Sequence, residues 1–223
     1  MLLSVLSQLA LTISMMKINS VASQPDRAGR HTVRFEDGTS MRLYRQTVED
    51  FGLYAGKDLT DDQMKDLRKA AGEMSAKMRA VRIVSASNVS KRDLEYRLVH
   101  KGEDPTQAKQ AVEWMSELNL LDDAKTAEQI VQKCIHKGYG LSRAKQALYE
   151  KRIPKEFWED ALADYPDQTD KILEFLRSRL DGDSDERDVR RATDALLRRG
   201  HSYQEIRRAM QRLEFDADFQ EDY

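Results

Sequence analysis

With 223 residues, the chain is long enough for one or two ordinary domains or for a short array of small repeats. Charged residues make up 34% and hydrophobic residues 40%, a balance that disfavours one thick core and suits thin helical structure. The formal net charge of −2 gives no overall electrostatic signal for nucleic-acid binding, and the single cysteine excludes an internal disulfide.

Residues 1–30 are predicted to be a poorly ordered N-terminal extension. Residues 1–16 are apolar with interspersed Ser, Gln and Thr, and the first basic residue is Lys17. A secretory signal carries basic residues before its apolar segment, although Ser20-Val21-Ala22 has the composition of a cleavage site. The segment is also short for a membrane span. We favour an extension, or a start codon assigned too early, over a signal peptide.

Residues 31–58 contain the pattern of a β-hairpin. Apolar and polar residues alternate over residues 32–35 and again over residues 41–44, on either side of a turn that contains Asp37-Gly38. An isolated hairpin is marginal in water, so it must pack on neighbouring apolar side chains. The candidates for that contact are Phe51, Leu53 and Tyr54.

Helical periodicity begins at Thr60. Residues Thr60 to Gln63 fit a capping box, in which the threonine hydroxyl accepts from a backbone N–H and the glutamine side chain reaches back. An apolar stripe follows at three- and four-residue steps, formed by Met64, Leu67, Ala71, Met74 and Met78. We expect this stripe to face the core, with a partner-binding groove as the alternative.

An internal repeat with a period of about 50 residues occupies the rest of the chain. The segment Leu98-Val-His-Lys-Gly102 is echoed by Leu148-Tyr-Glu-Lys-Arg152 and by Leu196-Leu-Arg-Arg-Gly200. Glycine at the last position ends a helix because it accepts the left-handed conformation, so the arginine of the second copy is a departure. Each copy is followed by a signal for the start of the next helix. This signal is Asp104 followed by Pro105 in the first copy, Pro154 in the second, and Ser202 with Glu205 in the third.

Each repeat is predicted to contain three short helices, with leading helices near 76–86, 124–136 and 167–180. Helices of about 12 residues are unstable alone and must pack as a trio. The predicted fold class is therefore all-α: three tandem three-helix repeats in an elongated curved rod, preceded by a small N-terminal β-hairpin and a helix. The predicted boundaries are 1–30 for the extension, 31–58 for the hairpin region, 59–123 for the N-terminal helix and first repeat, 124–165 and 166–213 for the second and third repeats, and 214–223 for an acidic tail.

Charge is distributed unevenly near the C-terminus. Residues 186–212 hold eight arginines against four acidic residues, and the tail over residues 214–223 holds five acidic residues. Arginines at helical spacing can bind phosphates or carboxylates with forked hydrogen bonds. The alternative is a solvated helix face with intrahelical ion pairs. The candidate contact residues for a partner are Arg143, Lys145, Lys151, Arg152, Arg190, Arg191, Arg198, Arg199, Arg207 and Arg208.

Enzymatic motifs are missing from the sequence. The four histidines have no metal-ligand spacing, and neither a phosphate-binding glycine loop nor a dinucleotide fingerprint occurs. We therefore expect no catalytic activity, no cofactor and no metal. Cys134 lies in an apolar helical pattern and is expected to be a core residue rather than a nucleophile. Trp114 and Trp158 are expected to be core anchors rather than base-stacking platforms.

The order of these motifs resembles the RecX family of regulators. The resemblance covers roughly residues 31–212 and rests on the hairpin turn at Phe35–Gly38, the Phe51-Gly-Leu53 segment and the 50-residue period. No single motif is specific, and their order carries the weight. Three further segments contribute to it: Ser90 to Gly102, Leu120 to Asp123, and Gly138 to Leu148.

The resemblance implies a cytoplasmic modulator of RecA that acts in homologous recombination, DNA repair and the SOS response. It implies that the protein lies along the groove of the RecA–DNA filament and represses the ATPase, coprotease and strand-exchange activities of RecA. The expected partners are the RecA filament and single- or double-stranded DNA with weak sequence preference, without a membrane, and the protein is expected to be a monomer. The alternative is a helical-repeat DNA-binding or scaffold protein with an unrelated partner.

Overall fold

Residues 15–181 and 183–221 are described by the structure, a computed structural model, with side chains described up to residue 213. The elements in chain order are β1 (Met15–Val21), β2 (Arg30–Phe35), β3 (Ser40–Tyr44), α1 (Arg45–Asp50), β4 (Asp58–Thr60), α2 (Asp61–Ala86), α3 (Lys91–His100), α4 (Pro105–Glu117), α5 (Asp123–His136), α6 (Leu141–Glu150), a 3-10 turn (Lys155–Phe157), α7 (Trp158–Leu162), α8 (Thr169–Arg177), α9 (Glu186–Arg198) and α10 (Tyr203–Glu221). They divide into two compact units, the first made of residues up to 83 with 97–115, the second of 84–96 with the residues from 116 onwards.

The first unit contains a four-stranded antiparallel sheet with the order β3-β2-β1-β4. The predicted hairpin is confirmed as β2 and β3, joined by a turn in which Gly38 has a φ of 84°. The prediction of an all-α chain is wrong, because two further strands complete the sheet and make the fold mostly helical with a β-sheet. β1 lies between β2 and β4, pairing with both.

The interpretation of residues 17–30 as part of a poorly ordered extension is also wrong. Ile18 of β1 is 1% exposed within the core of the sheet, so this polar-looking segment carries a buried apolar side chain. The turn that follows is closed by Asp26, whose carboxylate accepts hydrogen bonds from the backbone of Ala28 and from both the backbone and the guanidinium of Arg30. Residues 1–14 lie outside the described residues.

The core beneath the sheet combines the strands with the start of α2. Phe51 and Leu53 pack there as predicted, whereas Tyr54 is 63% exposed and does not. The predicted capping box is confirmed, since the Gln63 N–H donates to the Thr60 hydroxyl and the Thr60 N–H donates to the Gln63 side chain. The Met64 end of the apolar stripe is buried in this core, and α2 continues without a break to Ala86. The leading helix predicted near 76–86 is therefore the second half of one helix.

The repeated leucines occupy equivalent buried positions in three helices. Leu98 of α3, Leu148 of α6 and Leu196 of α9 are each at most 1% exposed. The helices that follow are capped as expected: the Thr106 and Gln107 N–H groups donate to Asp104, and Ser202 exchanges hydrogen bonds with Glu205. In the second copy a 3-10 turn precedes α7 after Pro154. The acidic tail continues α10 as helix to Glu221.

Two junctions in the second unit join the start of one middle helix to the end of the next. At the first junction, the hydroxyl of Ser90 before α3 donates to the carbonyl of Lys151 after α6, at 2.8 Å. At the second junction, the N–H of Gly140 before α6 donates to the carbonyl of Arg199 after α9, at 3.0 Å, and the Ser142 N–H donates to the Gly200 carbonyl, at 3.3 Å. In both junctions, the residue just before one middle helix therefore contacts the residue just after the next middle helix.

Candidate functional site

An open groove of about 530 Å³ lies beside the second junction and is called here the arginine groove. Its side chains come from the turn before α6, from α6 itself, from the end of α8 and from the end of α9. The lining residues are Tyr139, Arg143, Phe175, Ser178, Arg179, Ala195, Arg198 and Arg199. No carboxylate is among them in the described part of the chain.

Backbone contact between Gly140 and Gly200 brings these side chains together. A Cβ on Gly140 would overlap the Gly200 carbonyl, and a Cβ on Gly200 would overlap the backbone N of Arg143. Gly200 also has a φ of 89°, which only glycine adopts without strain. The absence of side chains at both positions therefore lets the end of α9 approach the start of α6, with Tyr139 and Arg199 beside the contact.

A buried histidine and a half-buried tyrosine also contact the second junction. The Nε2 of His201 lies 3.1 Å from the Gly138 carbonyl, so the neutral ring carries its hydrogen on Nε2, and the Nδ1 is buried with no hydrogen-bond partner among the described residues. Burial lowers the pKa of His201. The Tyr165 hydroxyl donates to the Tyr139 carbonyl at 2.6 Å, and burial raises the pKa of Tyr165 to about 12. His201 is 4% exposed.

The cations of the groove lie against its aromatic rings. The Arg199 guanidinium is 5.0 Å from the ring centre of Phe175 and 5.9 Å from that of Tyr139. Arg179 lies 5.4 Å from the Phe175 ring centre. Arg143 is paired with Glu150 at 2.9 Å, and the hydrogen bond that its guanidinium donates to this carboxylate raises the pKa of Arg143. The side chains present a positive, partly aromatic surface suited to anions.

A second groove, called here the α9–α10 groove, holds other predicted contact residues. Arg190 and Arg207 line it together with Arg187, but Glu186 and the apolar side chains of α9 and α10 also contribute. Its surface is therefore less uniformly positive than the arginine groove.

The remaining candidates are dispersed. Lys151 lines a separate groove next to Cys134. Arg191 pairs with Asp188 at 3.3 Å on the surface, while Lys145 and Arg208 are exposed and line neither of the two named grooves. The ten candidates thus lie in several places, of which the arginine groove gathers Arg143, Arg198 and Arg199.

Arg152 has a packing role at the first junction. It takes the left-handed φ of 52° where the other copies have glycine. Its guanidinium lies 3.6 Å from the ring centre of Tyr96 and 3.3 Å from the carboxylate of Asp93, whose side chain is 4% exposed. These contacts explain how the second copy accepts arginine at this position.

Three residues of the arginine groove were missed by sequence reasoning: Tyr139, Phe175 and Arg179. Phe175 and Arg179 lie outside the repeated motifs, so only the fold brings them to the site.

Cys134 is confirmed as a core residue, 6% exposed, and burial raises the pKa of its thiol. Trp158 is half-buried, packs against a buried cluster and donates to the Ile153 carbonyl, which agrees with the prediction of a core anchor.

The described residues contain no group of three His, Cys, Asp or Glu side chains that could hold a metal ion. No helix among them is long and apolar enough to cross a membrane.

Comparison with known proteins gives consistent similarities. Residues 122–162 match the family model described as RecX, second three-helix domain. The chain is 25% identical to the regulatory protein RecX of Vibrio parahaemolyticus over 64% of this chain and 94% of that protein. It is 21% identical to the regulatory protein RecX of Clostridioides difficile over 88% of this chain and 95% of that protein.

Solved structures share the fold. A crystal structure of regulatory protein RecX superposes with a TM-score of 0.57 at 19% identity, covering 88% of this chain and 99% of that chain. The crystal structure of RecX from Lactobacillus salivarius gives a TM-score of 0.55 at 24% identity, covering 66% of this chain and 99% of that chain. The sequence relatives, the matched helical domain and the shared fold all make the chain similar to the RecX family of regulatory proteins.

Proposed function

We propose that this protein is a non-enzymatic, cytoplasmic regulator that binds the RecA–DNA filament and inhibits the ATPase, coprotease and strand-exchange activities of RecA. Similarity to proteins named regulatory protein RecX, over most of the length of each, supports this proposal. The proposal includes the three tandem three-helix repeats, because tandem repeats present long binding surfaces, and a monomeric protein.

The arginine groove is the observation that favours a filament partner. Arg179, Arg198 and Arg199 form no ion pair with any described residue, so their charge is available to a partner. A RecA–DNA filament offers phosphates and acidic side chains, and guanidinium groups bind both with forked hydrogen bonds. We therefore assign filament contact to this groove.

The test measures the single-strand-dependent ATPase and strand exchange of RecA while this protein is titrated well below the RecA concentration. We expect both activities to fall at substoichiometric amounts, because one bound regulator affects many subunits of a polymer. The Arg198→Ala/Arg199→Ala variant is expected to need at least about tenfold more protein for the same inhibition, as expected when interface arginines are truncated.

A matched control is Arg92→Ala/Arg212→Ala, which removes the same charge from exposed positions outside the groove. It should inhibit RecA like the wild type. If RecA stayed fully active at equimolar protein while DNA alone bound with a steep salt dependence, the alternative of a DNA-binding repeat protein would replace this proposal.

A further inference from the structure

Ser178 is the only serine or threonine that lines the arginine groove within the described part of the chain. It follows the last residue of α8 directly, stands between Arg177 and Arg179 in the sequence, and is exposed. Its hydroxyl donates to the Phe175 carbonyl at 2.7 Å, so this hydrogen bond is confined to the end of one helix. The side chain is therefore accessible from solvent.

Four arginines line the groove together with this hydroxyl, and they come from α6, from the residues just after α8 and from the end of α9. They are Arg143, Arg179, Arg198 and Arg199. Only Arg143 forms an ion pair with a described carboxylate, that of Glu150. The other three carry positive charge that the described part of the fold does not neutralise.

Ser178 also lines an adjoining groove of about 290 Å³ that contains further cations. This groove shares Ser178 and Arg199 with the arginine groove and adds Lys137 and Lys171. Its one described carboxylate, that of Glu174, is paired with Lys171 at 3.0 Å. An anion on Ser178 would therefore have cations in both grooves.

A phosphate on the Ser178 oxygen suits this environment. It carries a charge of about −1.5 to −2 at pH 7 and three acceptor oxygens, to which guanidinium groups donate forked hydrogen bonds. The C-terminal end of a helix is otherwise unfavourable for a phosphate, because the helix dipole is negative there. Neighbouring cations must compensate for that effect, and the arginine groove supplies them.

We propose that Ser178 is a phosphorylation site and that its phosphate, held by Arg198 and Arg199, closes the arginine groove to the filament. A protein serine kinase catalyses the transfer: the bond between the γ-phosphorus and the bridging oxygen of a nucleoside triphosphate breaks, and a bond from that phosphorus to Ser178 Oγ forms. The kinase's base takes the hydroxyl proton, and the nucleoside diphosphate leaves. This inference deepens the proposed function, on which its regulatory consequence rests.

The first test measures whether the groove holds the phosphate, without RecA. Phosphoserine is introduced into the full chain by amber suppression as Ser178→phosphoserine, and its phosphorus NMR signal is followed against pH. The second pKa of an unrestrained phosphoserine is about 6, and cations favour the dianion, so we expect a value at least about one pH unit lower. Ser23→phosphoserine, at an exposed position in the first unit, should keep a pKa of about 6.

The arginines are tested in the same experiment. Adding Arg198→Ala/Arg199→Ala to the chain with phosphoserine at position 178 should bring the phosphate pKa back towards about 6. Equal pKa values at positions 178 and 23, or no response to loss of the two arginines, would overturn the inference.

The second test asks whether the chain is modified at this position. The full chain is incubated with an extract of the cells that produce it and ATP radiolabelled at the γ-phosphate, and the label on the chain is measured. The label should be lost in Ser178→Ala and kept in Ser23→Ala, which removes another exposed serine. Label retained by Ser178→Ala, or absent from the wild type, would overturn the assignment of the site.

The RecA assay separates this inference from the proposed function. Ser178→phosphoserine should need at least about tenfold more protein than the wild type for the same inhibition, as when interface arginines are lost, and phosphatase treatment should reverse this. Ser23→phosphoserine should inhibit like the wild type. Unchanged inhibition by Ser178→phosphoserine would overturn this inference alone. If the wild type left RecA unaffected while the label and the phosphate pKa behaved as expected, only the proposed function would fail.

Discussion

The two junctions of the second unit solve the same packing problem with different chemistry. At the first junction, side chains make the contact: Ser90 donates across it, and Arg152 reaches the buried Asp93. At the second junction, the backbones of Gly140 and Gly200 touch, and no Cβ fits at either position. Equivalent positions of a repeat can therefore be filled by a long cation or by glycine, depending on whether side chain or backbone forms the contact.

Breaking the backbone contact should have the largest effect. Gly200→Ala places a Cβ against the Arg143 backbone and forces alanine into a φ of 89°. We expect the free energy of unfolding of the second unit to fall by about 3–5 kcal/mol, from steric overlap plus left-handed strain. Urea unfolding followed by the fluorescence of Trp158, in a Trp114→Phe background, measures this change.

Gly102→Ala is the matched control for that prediction. Gly102 has a φ of 90°, but a Cβ there would have nothing within 4 Å. The substitution should therefore cost only the left-handed strain, about 1–2 kcal/mol, in the first unit, where Trp114 is retained and its fluorescence follows unfolding. Equal costs for the two alanine variants would contradict the close approach at Gly200.

Removing the side-chain contact should have an intermediate effect. Arg152→Ala keeps a non-glycine residue at the left-handed position but removes the cation beside Asp93, so the free energy of unfolding should fall by about 1–3 kcal/mol. Arg152→Gly loses the same contact but relieves the left-handed strain, so it should be about 1 kcal/mol less destabilised than Arg152→Ala.

Arg191→Ala is the surface control. It breaks an exposed pair with Asp188 and should change the free energy of unfolding by less than about 0.5 kcal/mol. Thermal and urea unfolding of the three variants provide the measurements, and a result in which Arg152→Ala matched Arg191→Ala would deny Arg152 its packing role.

Lowering the pH should reduce the free energy of unfolding by less than the substitutions at the two junctions do. Burial lowers the pKa of His201, so the unfolded chain binds the proton more readily than the folded chain. Stability is therefore retained above the unfolded pKa of about 6.5 and is lost as pH falls through it, with a slope of at most about 1.4 kcal/mol per pH unit from this group. The Glu205 carboxylate, which favours protonation, and Arg199, which opposes it, act on the same ring.

The measurement is urea unfolding between about pH 7.5 and about pH 5. His201→Gln should lose part of the pH dependence that the wild type has, whereas His136→Gln, at an exposed position, should retain it. Identical pH dependence in the wild type and His201→Gln would show that this histidine does not titrate with folding.

Local patterns were enough to predict the hairpin, the capping boxes and the buried leucines, because each depends on residues close together in sequence. β1 was missed because its polar residues and the Pro and Gly of the following turn hid one buried Ile18, and its partners β2 and β4 come later in the chain. The arginine groove could be predicted only in part. Arg198 and Arg199 belong to the repeat, but Phe175 joins them through tertiary packing between α8 and α9.

The Gly140–Arg199 hydrogen bond also has a consequence for synthesis on the ribosome. Its two partners lie about 60 residues apart, a length that takes roughly 3–12 s to translate. During that interval the start of α6 has emerged without the carbonyl that it meets in the folded protein, and its N–H groups can bond only to water. The second three-helix segment therefore reaches its final packing only after most of the third has left the exit tunnel, so that a nascent chain stalled near residue 195 should present this end of α6 to proteases and chaperones.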